Sequence, residues 1–305
     1  MATNFAAIDC GTNTVRILLT KLKNGRVKEL DRRLVITRLG QGVDATGKFN
    51  EEALERTFEA LDSFAEEIEQ VGGATTRVVA TSAARDASNS QAFFEGVRER
   101  LGVDPEIIPG EEEAKLSFTG AVAALPQLDS PVLVMDIGGG STELSLGDAK
   151  GGIEQVASLD MGSVRIRERF LASDPPTKPE IQAARAYIRE LIDSSELDFS
   201  EVYTFVGVGG TVTTLSAINQ GLTEYDREQV HDSIITPEEL KALNARFLTT
   251  PISAINEIPT MEPGRADVIT AGCLIAREIS RVVGLPLRVS EADLLDGIIA
   301  GLIVK

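Results

Sequence analysis

The chain has 305 residues, of which 43% are hydrophobic and 25% charged, with a mean hydropathy of +0.02. These values are ordinary for a soluble globular protein and exclude a largely disordered chain. Thirty basic and 47 acidic residues give a net charge of −17, so a generic basic surface for nucleic acid or for an anionic membrane is not expected.

Several residue types are too scarce to support common kinds of site. The two cysteines, Cys10 and Cys273, cannot form a disulfide framework, and the one histidine, His231, lies in a polar stretch without a cysteine nearby. No apolar run approaches the roughly 18 residues of a membrane helix, and the first nine residues lack the basic start of a secretion signal. We therefore expect a cytoplasmic protein without a membrane partner.

The first 125 residues predict three meandering strands followed by alternating helices and strands. The apolar run 6–8 ends at Asp9 and a glycine-containing turn, a second strand covers 15–22, and Asn24-Gly25 is typical of a hairpin turn. Apolar residues at spacings of three and four predict a helix over 51–70. The remaining elements are a strand at 78–82, a helix at 90–101, a strand at 106–108 and a helix at 111–125.

The same order then begins again after residue 130. Three strands are predicted at 132–135, 143–146 and 154–159, followed by helices at 162–172 and 178–194 and a strand at 202–206. Helices follow at 211–219, 237–247 and 265–283, with a strand at 286–289 and a terminal helix at 291–303. Because an acid and a glycine-containing turn end the first strand of both halves, the sequence predicts a duplicated α/β unit with a cleft between the copies.

Three turns in this pattern are candidates for binding phosphate. In the first, small residues after Asp9 free backbone amides, and the side chains of Thr12, Asn13, Thr14 and Arg16 add donors beside Gly11, although an ordinary hairpin would look similar. The second holds three consecutive glycines, which are costly in a simple hairpin; its candidates are Gly138, Gly139, Gly140, Ser141 and Thr142. The third opens a helix with Gly209, Gly210 and Thr211, where backbone amides and the helix dipole suit an anion.

Asp136 and Glu143 flank the second turn on strands that pair with each other. Magnesium typically takes one or two carboxylates together with substrate phosphates, so these two acids predict a Mg²⁺ site. Three further residues are ambiguous by themselves. Glu113 closes a run of three acids at a helix start, where acids are favoured electrostatically, and Arg85 and Arg265 would each pass for a surface arginine.

Taken together and in order, these segments resemble the Ppx/GppA family of exopolyphosphatases and guanosine-pentaphosphate phosphohydrolases, which belongs to the actin-like ATPase superfamily. The resemblance covers nearly the whole chain. It is carried by the turns at 9–16 and 136–143 and by five further segments, at 39–42, 80–85, 110–114, 207–211 and 265–267. The resemblance implies two duplicated actin-like (RNase H-like) domains, with domain I at 1–125, domain II at 126–290, and the terminal segment 291–305 packing back on domain I.

The resemblance also implies roles for the ambiguous residues. Glu113 matches the family's catalytic base, Arg85 and Arg265 match positions that approach the phosphate chain, and Asp136 and Glu143 match metal-associated acids, with Asp9 as a third candidate. The implied activity is hydrolysis of the terminal phosphate of inorganic polyphosphate with Mg²⁺, and the implied assembly is a homodimer. Hydrolysis of guanosine pentaphosphate is the first alternative, although no aromatic platform for a purine is evident because tryptophan is absent and only three tyrosines occur.

Two other classes of protein are weaker alternatives. An actin-like sugar kinase or ATP-driven chaperone would need a sugar or peptide domain, which is not evident in the sequence. A non-catalytic nucleotide sensor or filament former would not need Glu113 beside two phosphate turns. The resemblance implies a short, two-domain form of the family, without the additional C-terminal helical domains of longer members. A cleft of this size would hold only a few phosphates near Arg16, Arg85, Arg165 and Arg265, so we expect a distributive enzyme that favours short chains.

Overall fold

The computed structural model describes residues 3–304, and its first half is built on a sheet of five strands. These are β1 (Thr3–Cys10), β2 (Thr14–Lys23), β3 (Arg26–Ile36), β4 (Thr75–Ala80) and β5 (Glu106–Ile107). They lie in the order β3-β2-β1-β4-β5, in which β1 to β3 form an antiparallel meander and β4 and β5 run parallel to β1.

The second half repeats this arrangement. Its strands are β6 (Val132–Ile137), β7 (Thr142–Gly147), β8 (Ile153–Leu159), β9 (Thr204–Val208), β10 (Ile234–Ile235) and β11 (Leu287–Val289). Apart from the short edge strand β10, the order β8-β7-β6-β9-β11 and the strand directions match those of the first sheet. The predicted duplication and the actin-like α/β fold are therefore confirmed.

Helices pack against both sheets. They are α1 (Val43–Thr46), α2 (Glu51–Gln70), α3 (Ser82–Asp86), α4 (Ser90–Leu101), α5 (Gly110–Ala124), α6 (Ser163–Phe170), α7 (Lys178–Ser194), α8 (Gly209–Asn219), α9 (Arg227–Val230), α10 (Pro237–Phe247), α11 (Ile252–Asn256), α12 (Ile269–Val283) and α13 (Leu294–Val304). The predicted long helices are present, whereas α1, α3, α9 and α11 are too short to show a helical period in the sequence. No helix within residues 3–304 is both long and apolar enough to cross a membrane.

Two predicted helix starts were wrong. The segment before α12 forms successive turns, in which the Arg265 N–H donates to the carbonyl of Glu262 and the Val268 N–H to that of Arg265, so α12 begins at residue 269 rather than 265. The terminal helix begins at residue 294 rather than 291. There the Asp293 carboxylate accepts from the Leu295 N–H, and the Asp296 carboxylate accepts from the Asp293 N–H, which is a reciprocal cap.

Helix α5 contacts both halves of the molecule. Phe118, Ala121 and Val122 pack against apolar side chains of β6 and β9. On another side α5 crosses α13 so closely that a Cβ on Gly120 or on Gly297 would overlap the backbone of the opposite segment. In turn α13 packs on β1, β2 and β4. Because α5 is shared in this way, the division into domains at 1–125 with 291–305 and at 126–290 stays a prediction.

Candidate active site

A cleft lies where the carboxyl ends of β1, β6 and β9 meet. In open α/β sheets this is the edge at which ligands bind. Most of the predicted site residues line the cleft: Asp9, Gly11, Thr12, Asn13, Thr14 and Arg16 from the first turn, Asp136, Gly138, Gly139, Gly140 and Ser141 from the second, Gly209, Gly210 and Thr211 from the third, and also Glu113 and Arg265. The structure therefore brings all three turns to one place.

Four predicted residues do not line this cleft, and the last of them, Arg165, is described below. Arg85 lies directly behind Glu113 and contacts it. Thr142 is fully buried, and its hydroxyl donates a 2.6 Å hydrogen bond to the Met161 carbonyl instead of facing the cleft. Glu143 is also buried, behind the cleft wall, where its carboxylate accepts a hydrogen bond from the Ser158 hydroxyl at 2.8 Å.

The glycines of the second turn allow close contact between the two halves. A Cβ on Gly139 would lie 2.9 Å from Thr12 Cβ, and one on Gly140 would lie 2.8 Å from Thr12 Oγ1. Real Cβ atoms do not approach other heavy atoms so closely, so larger residues here would push the first and second turns apart. Contact between the turns thus explains two of the three consecutive glycines without a ligand.

Glu113 sits in the first turn of α5 and is only 8% exposed. The Arg85 guanidinium donates to its carboxylate at 2.8 Å and to the Ile108 carbonyl at 2.9 Å, which fixes the position of both side chains. Burial raises the pKa of Glu113 to about 7, opposed by Arg85 and reinforced by the charges of Asp9 and Asp136. A carboxyl group with a pKa near neutrality is well suited to act as a general base.

Asp136 and Glu143 face each other across the β6–β7 ladder, in the same register as Asp9 and Arg16 across β1–β2. The first repeat thus pairs an acid with a cation, whereas the second pairs two acids. Burial, followed by the charge of Asp293, raises the pKa of Asp136 to about 6. Burial and the charge of Glu113 raise the pKa of Glu143 well above its usual range.

This excess of buried carboxylates fits a divalent cation. Asp136 is hydrogen-bonded by Ser117 at 2.6 Å, but Glu143 Oε2 and Asp9 Oδ1 are buried without a hydrogen-bond partner. No group of three Asp, Glu, His or Cys side chains within residues 3–304 is arranged to hold a metal by itself. A divalent cation bound here would therefore need further oxygen ligands, such as phosphate groups or water, in addition to these carboxylates.

The two arginines that line the cleft, Arg16 and Arg265, differ in whether acidic side chains pair with them. Arg16 donates to Asp9 Oδ2 from Nε at 3.0 Å and from Nη2 at 2.6 Å, and it also forms an ion pair with Asp293. Arg265 is 7% exposed, its Nε has no hydrogen-bond partner, and its guanidinium makes no ion pair within residues 3–304. A Cβ on Gly210 would overlap that guanidinium, so a larger residue there would require the Arg265 side chain to shift.

Arg165 was predicted to lie near the phosphates, but its side chain instead contacts other residues of the protein. Its guanidinium forms ion pairs with Asp44 and Asp86 and donates to the Gly140 carbonyl at 2.7 Å. It therefore holds the second turn against the first half of the molecule.

Several residues that contact site carboxylates or arginines were not predicted from the sequence, among them Ser158, Ser117 and Asp293. Ser117 lies one helical turn after Glu113, so the i, i+4 spacing on α5 could have placed it on the same face. Asp293 contacts Arg16 although the two residues are 277 positions apart in the chain, and no local sequence pattern predicts such a contact.

Comparison with known proteins agrees with this fold. The chain is 41% identical to Exopolyphosphatase 2 of Mycobacterium tuberculosis, over 97% of each chain. The crystal structure of the Aquifex aeolicus Ppx/GppA family member is 30% identical with a TM-score of 0.84, over 100% of this chain and 98% of that one. An exopolyphosphatase from Cytophaga hutchinsonii is 26% identical with a TM-score of 0.92, over 99% and 98%.

The duplicated sheets and the cleft between them define an α/β protein of the actin-like class. A model of the Ppx/GppA phosphatase family matches residues 18–303. The chain therefore belongs to the Ppx/GppA phosphatase family, and the predicted family membership is confirmed.

The contact between Arg85 and Glu113 leads to a prediction about pH. If Glu113 accepts a proton, only its carboxylate form is reactive, so kcat/KM should fall as the pH drops below about 7. Arg85 lowers the pKa of Glu113, so Arg85→Gln should raise that pKa and move the acidic limb to higher pH. A pH–rate profile of both proteins measures the shift. A lower rate with an unchanged acidic limb of the pH–rate profile would mean that Arg85 does not set the pKa of Glu113.

Proposed function

We propose that this protein is an exopolyphosphatase that hydrolyses the terminal phosphate of inorganic polyphosphate. The observation that carries the proposal is the position of the buried Glu113. Arg85 holds its carboxylate in a cleft lined by the three turns that are candidates for binding phosphate. The 41% identity to Exopolyphosphatase 2 supports the choice of substrate.

Glu113 would orient a water molecule in line with the terminal phosphorus and accept a proton from it. The water oxygen then forms a bond to that phosphorus while the bond to the bridging oxygen breaks, so orthophosphate and a chain shorter by one unit are released. Arg265 and the backbone amides of the three turns would stabilise the charge on the equatorial oxygens, where phosphoryl transfer gains most of its stabilisation.

Asp136 and Glu143, with Asp9 as a third candidate, would hold Mg²⁺ in this proposal. When bound, the metal supplies positive charge that neutralises phosphate oxygens. The unpartnered oxygens of Glu143 and Asp9 support this assignment. The family resemblance further supports a homodimer.

Phosphate release from polyphosphates of defined length, measured beside guanosine pentaphosphate and ATP, tests the proposal. We expect kcat/KM to be highest for a polyphosphate. Faster hydrolysis of guanosine pentaphosphate would establish the alternative substrate, and no release from any of the three would leave a non-catalytic protein.

The size of the cleft and the shortage of basic residues predict a distributive enzyme that favours short chains. With 30 basic against 47 acidic residues, we do not expect a basic track long enough to retain a long polyanion between cleavages. Gel analysis of a long polyphosphate during hydrolysis should therefore show a gradually shortening ladder. Disappearance of full-length chains without intermediates would demonstrate processive action, as expected if a dimer joined two clefts into one channel.

A further inference from the structure

A buried serine interrupts the apolar side of helix α5. Ser117 lies one helical turn after Glu113 and is 1% exposed. Nearby on the same helix, Phe118, Ala121 and Val122 are buried among apolar side chains of β6 and β9. A hydroxyl buried in such surroundings is costly unless it makes a hydrogen bond. The partner of Ser117 therefore decides what this residue contributes.

That partner is one of the acids of the cleft. The Ser117 hydroxyl donates to Asp136 Oδ2 at 2.6 Å, and both side chains are buried. A serine in the middle of a helix often bonds the carbonyl four residues earlier, which here belongs to Glu113. This hydroxyl donates to Asp136 instead, so it joins the helix that carries Glu113 to the end of β6.

The third turn confines Asp136 from another direction. A Cβ on Gly209 would lie 2.7 Å from Asp136 Oδ1, so the backbone of this turn leaves that oxygen little room to move. Asp9, the counterpart of Asp136 in the first repeat, is held by the guanidinium of Arg16. In the second repeat the hydroxyl of Ser117 takes the place of that cation, which fixes the carboxylate without neutralising its charge.

We propose that Ser117 is a positioning residue, which holds the Asp136 carboxylate in one orientation relative to Glu113 and thereby favours binding of a divalent cation. This inference rests on the proposed function, because Asp136 is an acid assigned there to Mg²⁺. Groups that hydrogen-bond the ligands of a metal orient those ligands, and their loss weakens metal binding by roughly 10- to 100-fold.

Ser117→Ala tests the proposal in the natural protein without substrate. The measurement is the Mg²⁺ concentration that gives half of the Mg²⁺-dependent rise in Tm, which we call the Mg²⁺ midpoint. Alanine is a good helix former and removes only the hydroxyl, so the variant should fold. Without the hydrogen bond, Asp136 is free to turn, and the Mg²⁺ midpoint should rise by roughly tenfold or more.

Ser145→Ala is the matched control. Ser145 lies on β7, is also 1% exposed, and its hydroxyl donates to the Ala114 carbonyl of α5 at 3.1 Å. It is therefore a buried serine that bonds the same helix, but through the backbone and not through a carboxylate. Its variant should lower the Tm without Mg²⁺, as Ser117→Ala does, and keep the Mg²⁺ midpoint of the natural protein.

Phosphate release from a short polyphosphate gives a second readout. In Ser117→Ala the Mg²⁺ concentration for half-maximal activity should rise by the same factor as the Mg²⁺ midpoint. At saturating Mg²⁺ the bound metal itself holds Asp136 in place, so kcat should return to within a few-fold of the natural value. A purely structural role would lower kcat at every Mg²⁺ concentration and leave the half-maximal concentration unchanged.

The Mg²⁺ midpoints separate this inference from the proposed activity. If polyphosphate is not hydrolysed but Ser117→Ala still raises the Mg²⁺ midpoint, the positioning role stands and the proposed activity fails. If polyphosphate is hydrolysed and the Mg²⁺ midpoint is unchanged in Ser117→Ala, or rises equally in Ser145→Ala, the positioning role alone is overturned. A natural protein whose Tm does not respond to Mg²⁺ would overturn the positioning role together with the metal assignment.

Discussion

Replacing Glu113 with glutamine should lower kcat by roughly 10²- to 10⁴-fold and leave polyphosphate affinity within a few-fold. Glutamine has the same shape and retains an oxygen that can accept the hydrogen bond from Arg85, but it cannot take a proton from water. The loss should therefore appear in turnover and not in binding. Steady-state kinetics together with calorimetric binding of a short polyphosphate measure the two effects separately.

The neighbouring Glu112 provides a matched control for this variant. It lies in the same helical turn, but its side chain is 42% exposed and ion-paired with Arg77 on the protein surface. Glu112→Gln should therefore leave kcat unchanged. Near-normal turnover in Glu113→Gln would remove this residue from the mechanism, whatever the behaviour of the control.

Removing magnesium, or the acids proposed to hold it, should have the second largest effect. Chelation with EDTA should abolish phosphate release, and Asp136→Ala or Glu143→Ala should raise the magnesium concentration for half-maximal activity by roughly tenfold or more, or abolish activity. The reason is that hard oxygen ligands are lost from a site where the protein supplies few of them.

Thermal unfolding gives a readout of the metal that does not depend on activity. Because Mg²⁺ would bind the folded state and relieve repulsion between buried carboxylates, it should raise the Tm of the natural protein. Asp136→Ala and Glu143→Ala should lose most of this rise, whereas Glu154→Gln, an exposed acid on β8, should keep it. An EDTA-insensitive rate together with an unchanged Tm would show that the metal assignment is wrong.

The sequence predicts local structure and the repeat well because both leave signals at short range. The hairpin after Asp9 and its counterpart after Asp136 are visible as the same spacing of acid, glycine and strand, and the two sheets share one strand order. The start of α13 was misplaced because it depends on a reciprocal cap between Asp293 and Asp296. Asp293 was not recognised as part of a helix cap.

The turns of the site were predictable, but the partners of their charged residues were not. Arg16 and Arg165 looked like free phosphate ligands, yet Arg16 is shared between Asp9 and Asp293, and Arg165 is bound by Asp44 and Asp86. Apart from Asp9, which lies seven residues before Arg16, these acids come from segments distant in the chain. Of the arginines Arg16, Arg165 and Arg265, only Arg265 makes no ion pair within residues 3–304. This difference is visible only in the tertiary structure.

The position of bond cleavage tests the central claim most directly, namely that water held by Glu113 attacks the terminal phosphorus. Hydrolysis of a short polyphosphate in ¹⁸O-labelled water, followed by mass spectrometry of the products, reports which phosphorus receives the water oxygen. We expect one labelled oxygen in each released orthophosphate and none in the shortened chain. Label in the shortened chain, or pyrophosphate as the first product, would contradict the account.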